Sequence, residues 1–290
     1  MSASALLALL LAAAPPPHTI PAAQRQALAA ACAERDGWSD RAPPATIFGN
    51  VHYVGTCGIT ALLITGKNGH VLIDGATAQA APGILANIRA LGYDPRDVRL
   101  LLSSHEHVDH VGGLAALKAA TGARVVARRE AKAVLESGAV DSADPQAGSI
   151  PGFTGVKIDR IVADGEAVRL GRLALVAHAT PGHTAGSTSW TFRACERTCR
   201  RVVYADSLTA VAPDGYRFRD NPALVASFRS TFAKVARLPC DILLTPHPSA
   251  SNLFARLAGA APLVDRAACG AYAAGAARRL DERLAREGAR

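Results

Sequence analysis

Three histidines and an aspartate fall within six residues, His105-Glu106-His107-Val108-Asp109-His110. Side chains at i and i+2 of an extended segment point to the same side. His105 and His107 can therefore reach one metal ion, while Asp109 and His110 follow in a turn and can aim at another. Two more histidines sit in Thr-Pro contexts, His183 in Thr180-Pro181-Gly182-His183 and His247 in Thr245-Pro246-His247. Neutral imidazole and carboxylate suit zinc, and five histidines with one aspartate are enough for two Zn2+ ions with room left for water. Water shared by two zincs falls in pKa from about 15.7 towards about 7, which supplies a hydroxide nucleophile at neutral pH. No S-x-x-K or G-x-S-x-G serine motif is present, which is consistent with attack by such a hydroxide without a covalent enzyme intermediate. A lone histidine is ordinarily a surface or core residue, and His18, His52, His70 and His178 are read that way.

These residues need rigid elements to hold them. Val98 to Leu102 is a short apolar run that reads as a buried strand and ends directly on Ser103-Ser104-His105. Loops that leave a buried strand end are where site residues are displayed. Before it, strands are expected at 46–48, 51–54, 59–65 and 71–74, with a hairpin turn at Gly66 to Gly69. Helices are expected at 82–91, 113–121 and 131–137, with a strand at 124–127 between the last two. Residues 138–157, rich in Gly, Pro, Ser and Asp, read as a long loop, and long loops in compact domains are often functional. Further strands are expected at 160–162, 167–170, 173–179, 187–192, 201–204 and 241–244, the last ending on Thr245-Pro246-His247. Helices at 222–237 and 269–287 complete the chain. Each half mixes strands and helices, so a layered α+β sandwich is expected.

Composition narrows the class. Of 290 residues, 49% are hydrophobic and 19% charged, enough apolar material for a substantial core. The net charge of +8 comes almost wholly from scattered arginines such as Arg278, Arg279, Arg283, Arg286 and Arg290. They lie at helix spacing without interleaved aromatics, so a solvated helix face accounts for them and a nucleic-acid partner is not expected. Ala5 to Ala14 is an apolar run followed by Pro15, Pro16 and Pro17; it is too short to span a bilayer but fits a signal peptide over residues 1–18. A single domain over 19–290, exported to the periplasm and working as a monomer on small molecules, is the resulting expectation. Six cysteines, Cys32, Cys57, Cys195, Cys199, Cys240 and Cys269, suit disulfides in such a compartment, although their number alone leaves the pairing open.

The motif HEHVDH matches H-x-H-x-D-H of the metallo-β-lactamase superfamily, and TPGHTAGS and TPHP follow in order. The segments YVGTCGITALLITGKNGHVLIDGA, YADSLTA and TPHPSAS make the chain most similar to subclass B3 of the metallo-β-lactamases, over residues 32–287. The resemblance implies a four-layer αβ/βα sandwich with the site at the edge of two sheets. It implies a first zinc on His105, His107 and His183 and a second on Asp109, His110 and His247, with Asp109 also orienting the hydroxide. Ser207 stands where other subclasses place a zinc-binding cysteine, and Ser207 and Thr209 match positions that contact the substrate carboxylate. Apart from the resemblance, the long loop that contains Gln146 is expected to close over the other side of the cleft. The implied disulfides are Cys32–Cys57, Cys195–Cys199 and Cys240–Cys269, and the implied substrates are β-lactam antibiotics: penicillins, cephalosporins and carbapenems. The competing reading is a glyoxalase II-like thioesterase or a lactonase of the same superfamily. Those relatives use an aspartate that bridges both metals near the position of Asp206, so Asp206 keeps that alternative open.

Overall fold

The structure, a computed structural model, describes residues 22–288. The proposed signal segment lies outside the described residues. Seven strands form one sheet in chain order: β1 (Ala45–Phe48), β2 (Val51–Tyr53), β3 (Leu62–Ile64), β4 (His70–Ile73), β5 (Val98–Leu102), β6 (Arg124–Arg128) and β7 (Arg160–Val162). The first four pair antiparallel as a meander, and β4 to β7 pair parallel. The second sheet has the order β12-β11-β10-β9-β8, from β8 (Ala167–Leu170), β9 (Leu173–Ala179), β10 (Thr188–Cys195), β11 (Cys199–Tyr204) and β12 (Ile242–Leu244). Its hairpins are antiparallel, and β12 joins β11 in parallel. The helices are α1 (Ala22–Ala31), α2 (Ala81–Ala90), α3 (Val108–Val111), α4 (Leu114–Thr121), α5 (Lys132–Ser137), α6 (Pro222–Arg237), α7 (Leu253–Leu257) and α8 (Ala268–Gly288).

The alternation of side chains along a strand divides the core into three layers. Leu62, Ile64, Val71 and Ile73 of the first sheet face Trp190, Val202, Tyr204, Ile242 and Leu244 of the second. Their strand neighbours Leu63 and Leu72 point the other way, into a cluster with Ile84, Ile88, Leu114, Leu117 and Leu135 from α2, α4 and α5. On the far side, Val203 and Leu243 pack with Phe228, Phe232, Ala273 and Leu280 from α6 and α8. Two sheets back to back, each covered by helices, make the expected αβ/βα sandwich.

Most expected elements are present, with differences that have local causes. β3 is shorter than the apolar run 59–65. Ile59 accepts from Thr56 N–H at 2.9 Å and Thr60 donates to the Pro246 carbonyl at 2.7 Å, so these backbone groups serve the loops around the site instead of the ladder. β10 and β11 run further than expected, out to the Cys195–Cys199 disulfide that closes their hairpin. The other two disulfides join Cys32 to Cys57 and Cys240 to Cys269, the pairs that the family resemblance implies. α6 begins where Asn221 accepts from Leu224 N–H at 3.1 Å with Pro222 at the first turn, a favourable N-cap arrangement.

Candidate metal centre

β5 ends on Ser103 and hands over to the histidine segment. Asp74, just after β4, holds that segment in place: its carboxylate accepts from Ser104 N–H and Ser104 Oγ, each at 2.7 Å, and from the Tyr204 hydroxyl at 2.7 Å. Asp74 adopts φ 62°, a left-handed conformation that aspartate tolerates better than most residues. His107 is extended, with φ −86° and ψ 150°, and its carbonyl accepts from His110 N–H at 2.9 Å and Val111 N–H at 3.0 Å. The chain thus turns into the single helical turn α3 where a simple turn was expected. That turn carries Asp109 and His110 away from the direction of His107.

Candidate ligand atoms of His105, His107 and His183 lie within 4.8 Å of one another, as do those of His105, Asp109 and His110. His247 completes the second group: its Nε2 is 3.4 Å from Asp109 Oδ2 and 3.4 Å from His110 Nε2. His105 to His110 leave the first sheet, while His183 follows β9 and His247 follows β12 of the second. All six expected ligands therefore meet at one end of the sandwich.

Every histidine of the cluster has one ring nitrogen near a pure acceptor. His105 Nδ1 donates to Asp206 Oδ1 at 2.8 Å, His107 Nε2 to Asp144 Oδ2 at 2.8 Å, His183 Nδ1 to the Thr209 carbonyl at 2.9 Å, and His247 Nδ1 to the Gly58 carbonyl at 3.2 Å. His110 Nδ1 lies 3.5 Å from Asp74 Oδ2. The opposite nitrogen of each ring is left for a ligand, and His105 Nε2 is buried with no hydrogen-bond partner. A carboxylate or carbonyl behind a ligating imidazole fixes its tautomer and raises its basicity. The donor set is borderline nitrogen plus hard oxygen, which fits zinc.

The electrostatics agree. Burial, then the neighbouring His110 and His183, hold His105 well below the usual histidine range. Burial and His107 bring His183 down to about 4, and burial and His110 bring His247 down to about 4. For His110 burial works against protonation, but the Asp109 and Asp74 carboxylates outweigh it and raise the ring to about 10. Burial likewise opposes ionisation of Asp109, yet His110 holds the carboxyl far below its ordinary value. His105, His183 and His247 are thus held neutral and Asp109 charged, as metal binding needs, whereas His110 has to release its proton as a metal binds.

The expected substrate contacts are placed less uniformly. Ser207 and Thr209 lie in the irregular segment after β11. Ser207 is buried. The Thr209 hydroxyl lies 3.3 Å from His183 Nδ1, beside its carbonyl that supports the same ring. Gln146 donates its backbone N–H to Asp144 Oδ1 at 2.7 Å, so the long loop is tied to the centre through Asp144 and His107. Asp144, Asp74 and the supporting carbonyls are contributors that sequence reasoning missed. Asp74 had a signal in the VLIDGA segment; Asp144 is an isolated carboxylate in a loop and had none.

The family model of the metallo-beta-lactamase superfamily matches residues 54–247. Among solved structures, the metallo-β-lactamase MIM-1 from Novosphingobium pentaromativorans superposes with TM-score 0.89 at 54% identity, covering 91% of this chain and 98% of that one. MEM-A1, a subclass B3 metallo-β-lactamase from a soil metagenome library, superposes with TM-score 0.84 at 45% identity, covering 87% of this chain and 99% of that one. A hydroxyacylglutathione hydrolase of Bradyrhizobium sp. (strain ORS 278) is 32% identical over 142 residues, which are 47% of this chain and 45% of that one. The chain thus spans less than half of the curated relatives it matches, whereas the B3 enzymes match it nearly end to end. On the family match and the end-to-end likeness in both sequence and fold, this chain belongs to the metallo-β-lactamase superfamily and, within it, to subclass B3.

Proposed function

We propose that this chain is a hydrolase that opens the β-lactam ring of penicillins, cephalosporins and carbapenems. The observation that carries the reading is the convergence of five imidazoles and Asp109, each ring nitrogen on the outer side held near a carbonyl or carboxylate. His105, His107 and His183 would hold one Zn2+; Asp109, His110 and His247 would hold a second. Two zinc ions, when bound, supply Lewis acidity toward the lactam carbonyl and a water acidic enough to ionise near neutral pH. The protein's part is positioning. Asp109, charged and buried beside His110 and His247, can accept a hydrogen bond from the attacking water and so orient it. Ser207 and Thr209 offer hydroxyls to the carboxylate next to the scissile amide, and the loop carrying Gln146 covers the opposite side of the cleft.

Asp206 supports this reading over a thioesterase. Its Oδ1 accepts from His105 Nδ1 on the far side of that ring from Nε2, which is the place of a supporting carboxylate, whereas the thioesterase reading needs it between two metals. We also propose one catalytic domain over residues 19–290, working as a periplasmic monomer after loss of the first 18 residues or so. The three disulfides favour an oxidising compartment, and no helix among the described residues is long and apolar enough to cross a membrane. The test is a direct comparison of purified, zinc-loaded protein on one member of each β-lactam class and on a glutathione thioester. Turnover of β-lactams well above the thioester is expected; thioester turnover with every β-lactam untouched would overturn the assignment.

A further inference from the structure

Glu106 stands between His105 and His107 in sequence, yet it is not among the candidate ligands. Its side chain is buried, at 5% exposure. No lysine or arginine pairs with it among the described residues. Both carboxylate oxygens are instead spent on the loop that carries His183: Oε2 accepts from Thr184 Oγ1 at 2.8 Å and Oε1 from Gly186 N–H at 2.8 Å. Thr184 directly follows His183. The approach is close enough to demand glycine at 186, because a Cβ there would lie 2.5 Å from Glu106 Oε2 and 2.5 Å from the Ala131 Cβ. The same loop is braced by Thr184 N–H to Ser187 Oγ at 3.1 Å, and its continuation by Thr188 N–H to the Ser104 carbonyl at 2.7 Å.

We propose that Glu106 is a positioning residue that clamps the His183 loop of the second sheet to the histidine segment of the first. A buried carboxylate can accept several hydrogen bonds at fixed geometry, and charge-assisted bonds of this kind are stronger than neutral ones. The clamp sets the spacing of His183 from His105 and His107, whose ring centroids stand 4.7 and 4.9 Å from its own. The three-histidine site is thereby assembled before a metal arrives, and metal affinity does not have to offset the ordering of a loose loop. This inference rests on the reading of His105, His107 and His183 as a zinc site.

The test measures zinc affinity by competition with a chromophoric chelator, and the visible spectrum of the Co2+-substituted protein, for the parent chain and for Glu106→Ala, Glu106→Gln and Thr184→Val. Disturbing the support behind metal ligands typically weakens binding about 10–100-fold, and that loss is expected at the first site for Glu106→Ala, with an altered Co2+ spectrum. Glu106→Gln keeps an oxygen for Gly186 N–H and an amide N–H for Thr184 Oγ1, so it is expected to restore most of the affinity. Thr184→Val, which removes one of the two contacts, should fall between them. First-site affinity in Glu106→Ala equal to the parent's overturns the clamp, as does Glu106→Gln falling as far as Glu106→Ala, since charge and not the tether would then matter. If Glu106→Ala does not fold, unchanged affinity in Thr184→Val overturns it. A parent chain that binds no zinc would instead sink the zinc-site reading on which the clamp depends.

Discussion

His183 donates Nδ1–H to the Thr209 carbonyl and so leaves Nε2 as its ligand atom; the same logic selects Nδ1 of His107, whose Nε2 is taken by Asp144. Four of the five imidazoles, those of His105, His107, His183 and His247, are thus committed to one tautomer by a neighbour, and removal of one ring removes one ligand without releasing the rest. His183→Ala is expected to lower bound zinc from about two ions per chain to about one at low free zinc, because catalytic sites rest on three protein ligands; elemental analysis after dialysis reads it. Substrate contacts are separable from this. Ser207→Ala combined with Thr209→Ala leaves the Thr209 carbonyl on His183, so both metals should stay. Losing hydrogen bonds to a charged group costs about 1.5–3 kcal/mol, expected mostly as a raised KM with kcat little changed. Unaltered kinetics in the double variant would exclude these hydroxyls from the carboxylate site. The six candidate ligands were legible in the sequence because metal chemistry restricts residue type and spacing together. Their supports were not: a carbonyl such as Thr209 O or Gly58 O has no side-chain signature, and Asp144 reaches His107 from 37 positions away.

β11 and β12 meet at Asp241, which opens the strand that delivers His247. Its carboxylate accepts from Arg201 N–H at 2.9 Å, Arg201 Nε at 3.0 Å and Arg201 Nη2 at 2.8 Å, and Arg266 Nε stands 3.3 Å away. The Arg201 hydrogen bonds hold Asp241 well below the ordinary carboxylate range. A folded-state pKa below the unfolded value near about 3.9 contributes stability that is complete above pH 4 and is lost as pH falls below it. Asp241→Asn is therefore expected to cost of order 1 kcal/mol at neutral pH and to flatten the decline in stability below pH 4. An equal decline in variant and parent, followed by denaturant unfolding across pH, would remove Asp241 from the acid response. Strands such as β4 and β5 could be read from their apolar runs, and α6 from its Pro222 start. The single turn α3 could not, since four residues carry no period. The shortening of β3 was hidden as well, because Ile59 and Thr60 are as apolar or β-branched as any strand residue and are diverted only by distant partners.

The layering of the whole molecule was legible from alternating apolar positions and the order of strands and helices, while which face met which depended on contacts between halves. The Cys240–Cys269 disulfide fastens the approach to β12 onto α8 across 29 positions. Replacing both cysteines by serine is expected to cost about 2–4 kcal/mol while leaving zinc stoichiometry intact, measured by thermal unfolding and metal analysis. An undiminished melting temperature would mean that packing of α8 alone suffices.

The six candidate ligands come from the two sheets in unequal shares, four from the first and two from the second. Bound metal would therefore bridge the halves of the chain, and an ion held only by the folded state adds stability in proportion to its free concentration. Free zinc at a hundredfold excess over its dissociation constant is worth about 2.7 kcal/mol. Resistance to a nonspecific protease should then rise and fall with zinc supply, so that a cell starved of zinc would hold less of this protein as well as a less active one. Degradation rates that stay constant across a zinc titration would show that the two sheets hold together without the ions' help.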